Sequence, residues 1–172
     1  ILNKRNNKSH KKEMRLNKYE NIDLVIVNFY PFEKSLTKIK NHKNIIENID
    51  IGGPTLVRAA AKNFNYVTVV TSIEQYNGLI EELKKNKGST SFNFRQKLSE
   101  EAFGMTAYYD AAITNYFTSR TENIFPKKKF VYGNLIEKLR YGENPHQEGA
   151  IYSYNKSLDL DQLHGKKLSY NN

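Results

Sequence analysis

From residue 22 to 32 apolar side chains follow one another almost without a break, in IDLVIVNFYPF. A β-branched run of this kind, closed by Pro31, predicts a strand buried on both faces, as in a parallel sheet. Tyr30 falls at its C-terminal end. The polar stretch that follows, 33–49, predicts one short helix around HKNIIENI, broken by GGP. Pro54 suits the first position of a new helix, which runs to about Asn63. YVTVVT, 66–71, predicts a second buried strand. Ser72 and Gln75 make a capping-box pattern ahead of another helix, and Gly88 follows its last turn.

Further on, Phe94, Leu98, Phe103, Tyr109, Ile113 and Phe117 recur at the spacing of one helix face, which predicts a long helix over 92–117. The polar residues 119–131, with Pro126 and a lysine run, predict a linker. KLRYGENPHQ, 138–147, is turn-rich, and AIYS after it suits an edge strand. Residues 1–21 are polar and basic, a loop with a ragged helix. Strand, helix, strand, helix is an α/β order. Open α/β sheets bind ligands beyond the carboxyl ends of their strands, and Tyr30 and Asp50 both fall in loops suited to that edge.

Composition narrows the chemistry. The 172 residues contain no cysteine, so disulfides, thiolate metal sites and a cysteine nucleophile are excluded. The four histidines are scattered without metal-ligand spacing, and no metal site is expected. Net charge is +9 and mostly lysine, which reads as solvated surface; clustered nucleic-acid readers lean on arginine forks. No apolar run reaches the roughly 18 residues of a membrane span. The chain opens on Ile, ends on LSYNN in mid-pattern, and reads as an excerpt of something longer.

The segment NIDIGGPTLVRAAAKN, 48–63, carries the candidate chemistry. Asp50 stands just before a helix start, where it is either a cap or a general base. Gly52 and Gly53 permit a tight turn or a close approach of backbone N–H groups to a ligand. Arg58 and Lys62 share a helix face, ordinarily a solvated one. The intervening alanines would let the helix lie close to a strand, and a lysine held there would be partly desolvated and able to donate a proton. Tyr30 can rim the core or donate to a developing oxyanion. Asn28 can read an amide, and Arg140 with Tyr141 can fork to an anion or stack.

Taken in order, VNFYPF, NIDIGGPTLVRAAAKN, AFGMTAYYDAAITNYF, LRYGENPHQ and LHGKKLSYNN resemble the bifunctional AICAR transformylase/IMP cyclohydrolase family of purine biosynthesis. The resemblance covers the chain from about Ile22 onward. It implies a methylglyoxal-synthase-like α/β fold, a parallel sheet with helices incomplete at its N-terminus, followed by the start of the transformylase domain. Residues 1–118 would be the C-terminal part of the cyclohydrolase domain, 119–137 a linker, and 138–172 the beginning of the transformylase.

The family closes FAICAR to IMP and water without a metal or cofactor, and makes FAICAR from AICAR with 10-formyltetrahydrofolate as cosubstrate. It implies a cytoplasmic homodimer acting on small nucleotides, with neither nucleic acid nor membrane as partner. Carried over by position, Tyr30, Asp50 and Lys62 would be catalytic. Val27, Asn28, Ile51 and Gly52 would contact the cyclohydrolase nucleotide, and Arg140 and Tyr141 would bind AICAR. Arg58 receives no catalytic role. The family's phosphate loop and a further lysine lie upstream of the matched segment, so the excerpt is expected to be inactive alone. The alternatives are a basic nucleic-acid-binding module and a non-catalytic dimerising remnant.

Overall fold

Two short parallel strands, β1 (Leu24–Ile26) and β2 (Thr68–Val70), pair residue for residue from Leu24 with Thr68 to Ile26 with Val70. They belong to a computed structural model that describes residues 1–121, 125–154 and 162–171. The chain divides into two compact units, Ile1–Glu122 and Asn123–Asn172. In the first, α1 (Lys8–Leu16) precedes β1, and α2 (Phe32–Lys38), α3 (His42–Glu47) and α4 (Gly52–Lys62) make the crossover to β2. A 3-10 turn (Ile73–Gln75), α5 (Tyr76–Lys85) and the 28-residue α6 (Phe92–Ser119) complete it. This is a mixed α/β unit with a small parallel sheet.

The core forms where α4, β2 and α6 meet. All three residues of β2 are buried, as are Val57, Ala60 and Ala61 on α4 and Leu98 and Ala102 on α6. Small side chains let the two helix backbones approach, and the Ser99 hydroxyl donates to the Ala61 carbonyl at 2.8 Å. The alanines of the 48–63 segment therefore serve contact with α6 as well as with the sheet.

That packing changes two expectations. β1 is three residues long and buries only Val25 on one face; Leu24 and Ile26 point the other way and are exposed. Alternation along a strand sends neighbours to opposite faces, and a continuous apolar run does not show which face is covered. On α6 the buried stripe is Leu98, Ala102, Thr106, Tyr109 and Ala112. Phe103 and Phe117, placed on the inner face by spacing, are exposed; at Phe103 the α4 contact takes small residues rather than rings, while Phe117 meets His42 of α3 edge-on.

Local signals position the rest. Gln75 turns back so that its side-chain oxygen accepts from the N–H of Ser72 and of Thr71, at 3.2 and 2.8 Å. The helix it opens begins as a 3-10 turn before α5. Arg95 donates from Nε to the Phe64 carbonyl at 2.7 Å and from Nη2 to the Asn65 carbonyl at 3.1 Å, and it also bonds the Thr90 carbonyl. This ties the start of α6 to the loop before β2. Burial, and then the neighbouring Arg5, push the Arg95 guanidinium below its usual pKa.

In the second unit β3 (Asn134–Lys138) pairs antiparallel with β4 (Ala150–Ser153), with an irregularity between Leu135 and Glu137. The stretch expected as a linker, 119–137, thus contains the last residue of α6 and most of β3. LRYGENPHQ forms a closed turn. Gly142 donates to the Gln147 carbonyl at 2.7 Å and Gln147 to the Asn144 carbonyl at 2.9 Å. A Cβ on Gly142 would stand 3.0 Å from the Glu148 carbonyl oxygen, so the turn has little room for one. Among the described residues no helix is long and apolar enough to cross a membrane.

Candidate active site

Because β1 and β2 are parallel, the residues leaving both strands emerge at one edge. Val27 extends the ladder with a bond to the Val70 carbonyl at 3.0 Å. Beyond it the Asn28 amide donates to the Tyr76 hydroxyl at 3.1 Å, linking the two exits. The chain then turns tightly: the Phe32 N–H meets the Tyr30 carbonyl at 2.7 Å, and Pro31 caps α2. Tyr30 projects from this turn with 59% of its surface exposed, while Phe32 beside it is fully buried.

Asp50 is built differently. Its Oδ1 accepts the Gly53 N–H at 2.8 Å, capping the start of α4 from just outside the helix. The cap reading of Asp50 therefore holds, and the cap leaves acceptor capacity over, since a carboxylate has more acceptor sites than one N–H uses. Glycine at 53 leaves the carboxylate in place, since a Cβ there would lie 2.5 Å from Asp50 Oδ2 and would make it rotate away. At Gly52 a Cβ would meet nothing within 4 Å. Pro54 is the third helical residue rather than the first, because the carboxylate cap starts the helix at Gly52.

The Asp50 backbone is held by α6. Its N–H donates to the Tyr109 hydroxyl at 2.8 Å. The Tyr109 ring meets Phe29 edge-on, with centroids 5.1 Å apart, and Phe32 at 6.1 Å. Tyr108 donates to Glu33 at 2.8 Å, and His42 Nδ1 lies 2.7 Å from the Tyr116 hydroxyl. Tyrosines of α6 thus fasten the segment from 29 to 50 at several points. Burial, more than the nearby Asp50 and Asp110 charges, raises the Tyr109 pKa, so its hydroxyl stays neutral.

The structure therefore brings Val27, Asn28, the Tyr30 turn and Asp50 to one edge, with Ile51 and Gly52 exposed beside Asp50. Lys62 is elsewhere. It ends the 11-residue α4 that Gly52 begins, roughly 15 Å away along the axis. Its neighbour Asn63 donates to the Ile1 and Asn3 carbonyls, and Val67 leads into the first residue of β2. That is the amino end of the strands. Lys62 is also exposed, so the expectation of a desolvated lysine against a strand is corrected: the alanines face the core and the lysine faces solvent. Arg58, likewise exposed, lies over the Phe103 ring at 5.6 Å.

In the second unit the exposed Arg140 guanidinium lies over the half-buried Tyr141 ring, 5.3 Å from its centre. The Arg140 N–H is anchored to the Leu168 carbonyl at 2.9 Å. Spacing along the chain did not single out Tyr109 or Tyr76 as site residues. Tyr109 was legible only as a member of the α6 face, and α2 was not legible at all.

An α/β unit that gathers a carboxylate, a tyrosine and an asparagine at the carboxyl edge of its strands presents polar groups where open α/β sheets bind ligands. The family model described as AICARFT/IMPCHase bienzyme matches residues 60–172. The chain is 44% identical over 174 residues to the bifunctional purine biosynthesis protein PurH of Elusimicrobium minutum (strain Pei191), covering all of this chain and 34% of that protein. The PurH protein of Bradyrhizobium diazoefficiens is 46% identical over 176 residues, again across the whole chain and 33% of the relative. A solved structure titled "Crystal structure of ForH" aligns with a TM-score of 0.59 and 28% identity, over 69% of this chain and 61% of that one. The chain belongs to the AICARFT/IMPCHase bienzyme family. It spans about a third of the length of the curated relatives it matches.

Proposed function

We propose that this chain is a segment of a bifunctional purine-biosynthetic enzyme that closes FAICAR to IMP and forms FAICAR from AICAR and 10-formyltetrahydrofolate. Residues 1–118 supply part of a methylglyoxal-synthase-like cyclohydrolase domain, and 138–172 open the transformylase domain. The reading includes a cytoplasmic homodimer. The observation that carries it is the fixed Asp50 carboxylate, capped on Gly53 at the strand edge where Asn28 and Tyr30 emerge.

Ring closure joins the carboxamide nitrogen to the formyl carbon, and the formyl oxygen leaves as water. The amide nitrogen is a poor nucleophile and must lose a proton. Asp50 takes it, a transfer that typically supplies about 10²–10⁴-fold. Tyr30, exposed at its turn, donates to the formyl oxygen as charge develops there. Asn28, with Val27, orients the nucleotide, and the open side of Gly52 admits it closely. Lys62 cannot share these atoms within one copy, since α4 separates it from Asp50. A second copy of the chain would deliver Lys62 as the acid that releases water, which is consistent with a homodimer.

The test is the complete gene product, assayed separately for ring closure and for formyl transfer. Arg140→Ala removes an exposed side chain at little cost in stability. It is expected to slow formyl transfer, where Arg140 and Tyr141 hold AICAR, and to leave ring closure unchanged. Slowing of ring closure alone would overturn the division of labour between the two units.

A further inference from the structure

Asp50 and Tyr30 reach the candidate site on separate loops, and one side chain holds both. Tyr109 is 7% exposed. Its hydroxyl accepts the Asp50 N–H from 59 residues away in sequence, at 2.8 Å. Its ring is packed edge-on against Phe29 and Phe32, the residues on either side of the Tyr30–Pro31 turn. We propose that Tyr109 is a positioning residue for ring closure, setting the Asp50 carboxylate and the Tyr30 hydroxyl relative to one another. The proposal rests on the reading of Asp50 as the base.

The physical case has three parts. First, the bonded N–H is on Asp50 itself, so the contact fixes the Cα from which the carboxylate hangs. The Gly53 bond then fixes the other end of the same short side chain. Second, the two contacts use different parts of Tyr109: the hydroxyl sets Asp50 and the ring sets the Tyr30 turn. Third, the hydroxyl is neutral and buried, which suits a fixed acceptor for an N–H group and leaves no charge to disturb the carboxylate. Misplacing a reacting group by about 1 Å costs on the order of 10²-fold in rate.

Tyr109→Phe in the complete gene product keeps the ring and deletes the acceptor. The expected result is a kcat for ring closure lowered about tenfold or more, as a partial misplacement requires. KM should be unchanged, because the nucleotide contacts at Val27 and Asn28 remain, and formyl transfer should proceed at the wild-type rate. Asp50→Asn serves as the reference. If Asp50→Asn closes the ring normally, the reading of the site fails and the proposal with it. If Asp50→Asn is inactive while Tyr109→Phe retains the wild-type kcat, the site stands and the positioning role is overturned. Equal loss of both activities in Tyr109→Phe, with a lowered unfolding temperature, assigns Tyr109 to stability alone and also overturns it.

Discussion

Mixing Asp50→Asn subunits with Lys62→Ala subunits of the complete gene product is expected to restore ring closure that neither variant shows alone. The reason is the geometry of α4. Asp50 caps its first turn and Lys62 ends it, roughly 15 Å along the axis, so one copy cannot bring both groups to one formyl carbon. If the acid comes from a second copy, a mixed dimer pairs the intact Asp50 of one subunit with the intact Lys62 of the other. Random mixing then leaves about a quarter of the sites complete. Both substitutions are structurally mild. In Asp50→Asn the side-chain amide still offers an oxygen to the Gly53 N–H, and Lys62 is exposed. The assay is ring closure after unfolding and refolding the two variants together. A dead mixture would place both groups in one subunit's site and overturn the shared arrangement. Wild-type activity in Lys62→Ala alone would remove the lysine from the chemistry.

Gly53→Ala is the second large effect, and it separates activity from stability. The new Cβ would stand 2.5 Å from Asp50 Oδ2 and 3.0 Å from its Cγ and Oδ1. The obstacle is the end of a short, rotatable side chain, so the helix need not move; the carboxylate must. Rotating it away breaks the bond to the residue 53 N–H, a cap worth about 1 kcal/mol. Alanine returns a similar amount, about 1 kcal/mol, as a better helix former than glycine. The thermal midpoint should therefore barely shift, while ring closure falls on the order of 10²-fold from the displaced base. Gly52→Ala is the control for stability only, because Gly52 itself faces the nucleotide in the proposed site. Its Cβ would meet nothing within 4 Å, so the fold tolerates it. Normal ring closure in Gly53→Ala would show that the position of the Asp50 carboxylate is immaterial.

Much of the framework was legible along the chain. The fully buried β2, the existence of a helix through Pro54 to about residue 62, the turn opened by Ser72 and Gln75, and the long α6 all follow from period, capping chemistry and glycine placement, although that first helix starts two residues earlier than expected. So did the placement of Asp50 ahead of a helix at a strand edge, and the edge strand AIYS. These are properties of residues within a few positions of one another, which propensity and spacing govern directly.

What the tertiary structure alone decided concerns residues far apart in sequence. Which face of β1 is covered depended on where α4 and α6 came to lie, so Leu24 and Ile26 read as core and are exposed. Phe103 left the buried stripe because Ala60, Ala61 and Ala102 meet there, and the closeness of two backbones is not written in either helix by itself. Lys62 and Asp50 read as one constellation because they share a motif, yet a helix between two residues holds them apart as firmly as any fold can. Tyr109 reads as one more apolar position on α6; only packing carries its hydroxyl to Asp50 and its ring to the Tyr30 turn. Local chemistry thus determined the elements and the kind of groups at the edge, and the packing of α6 on α4 and β2 determined which of those groups can act together.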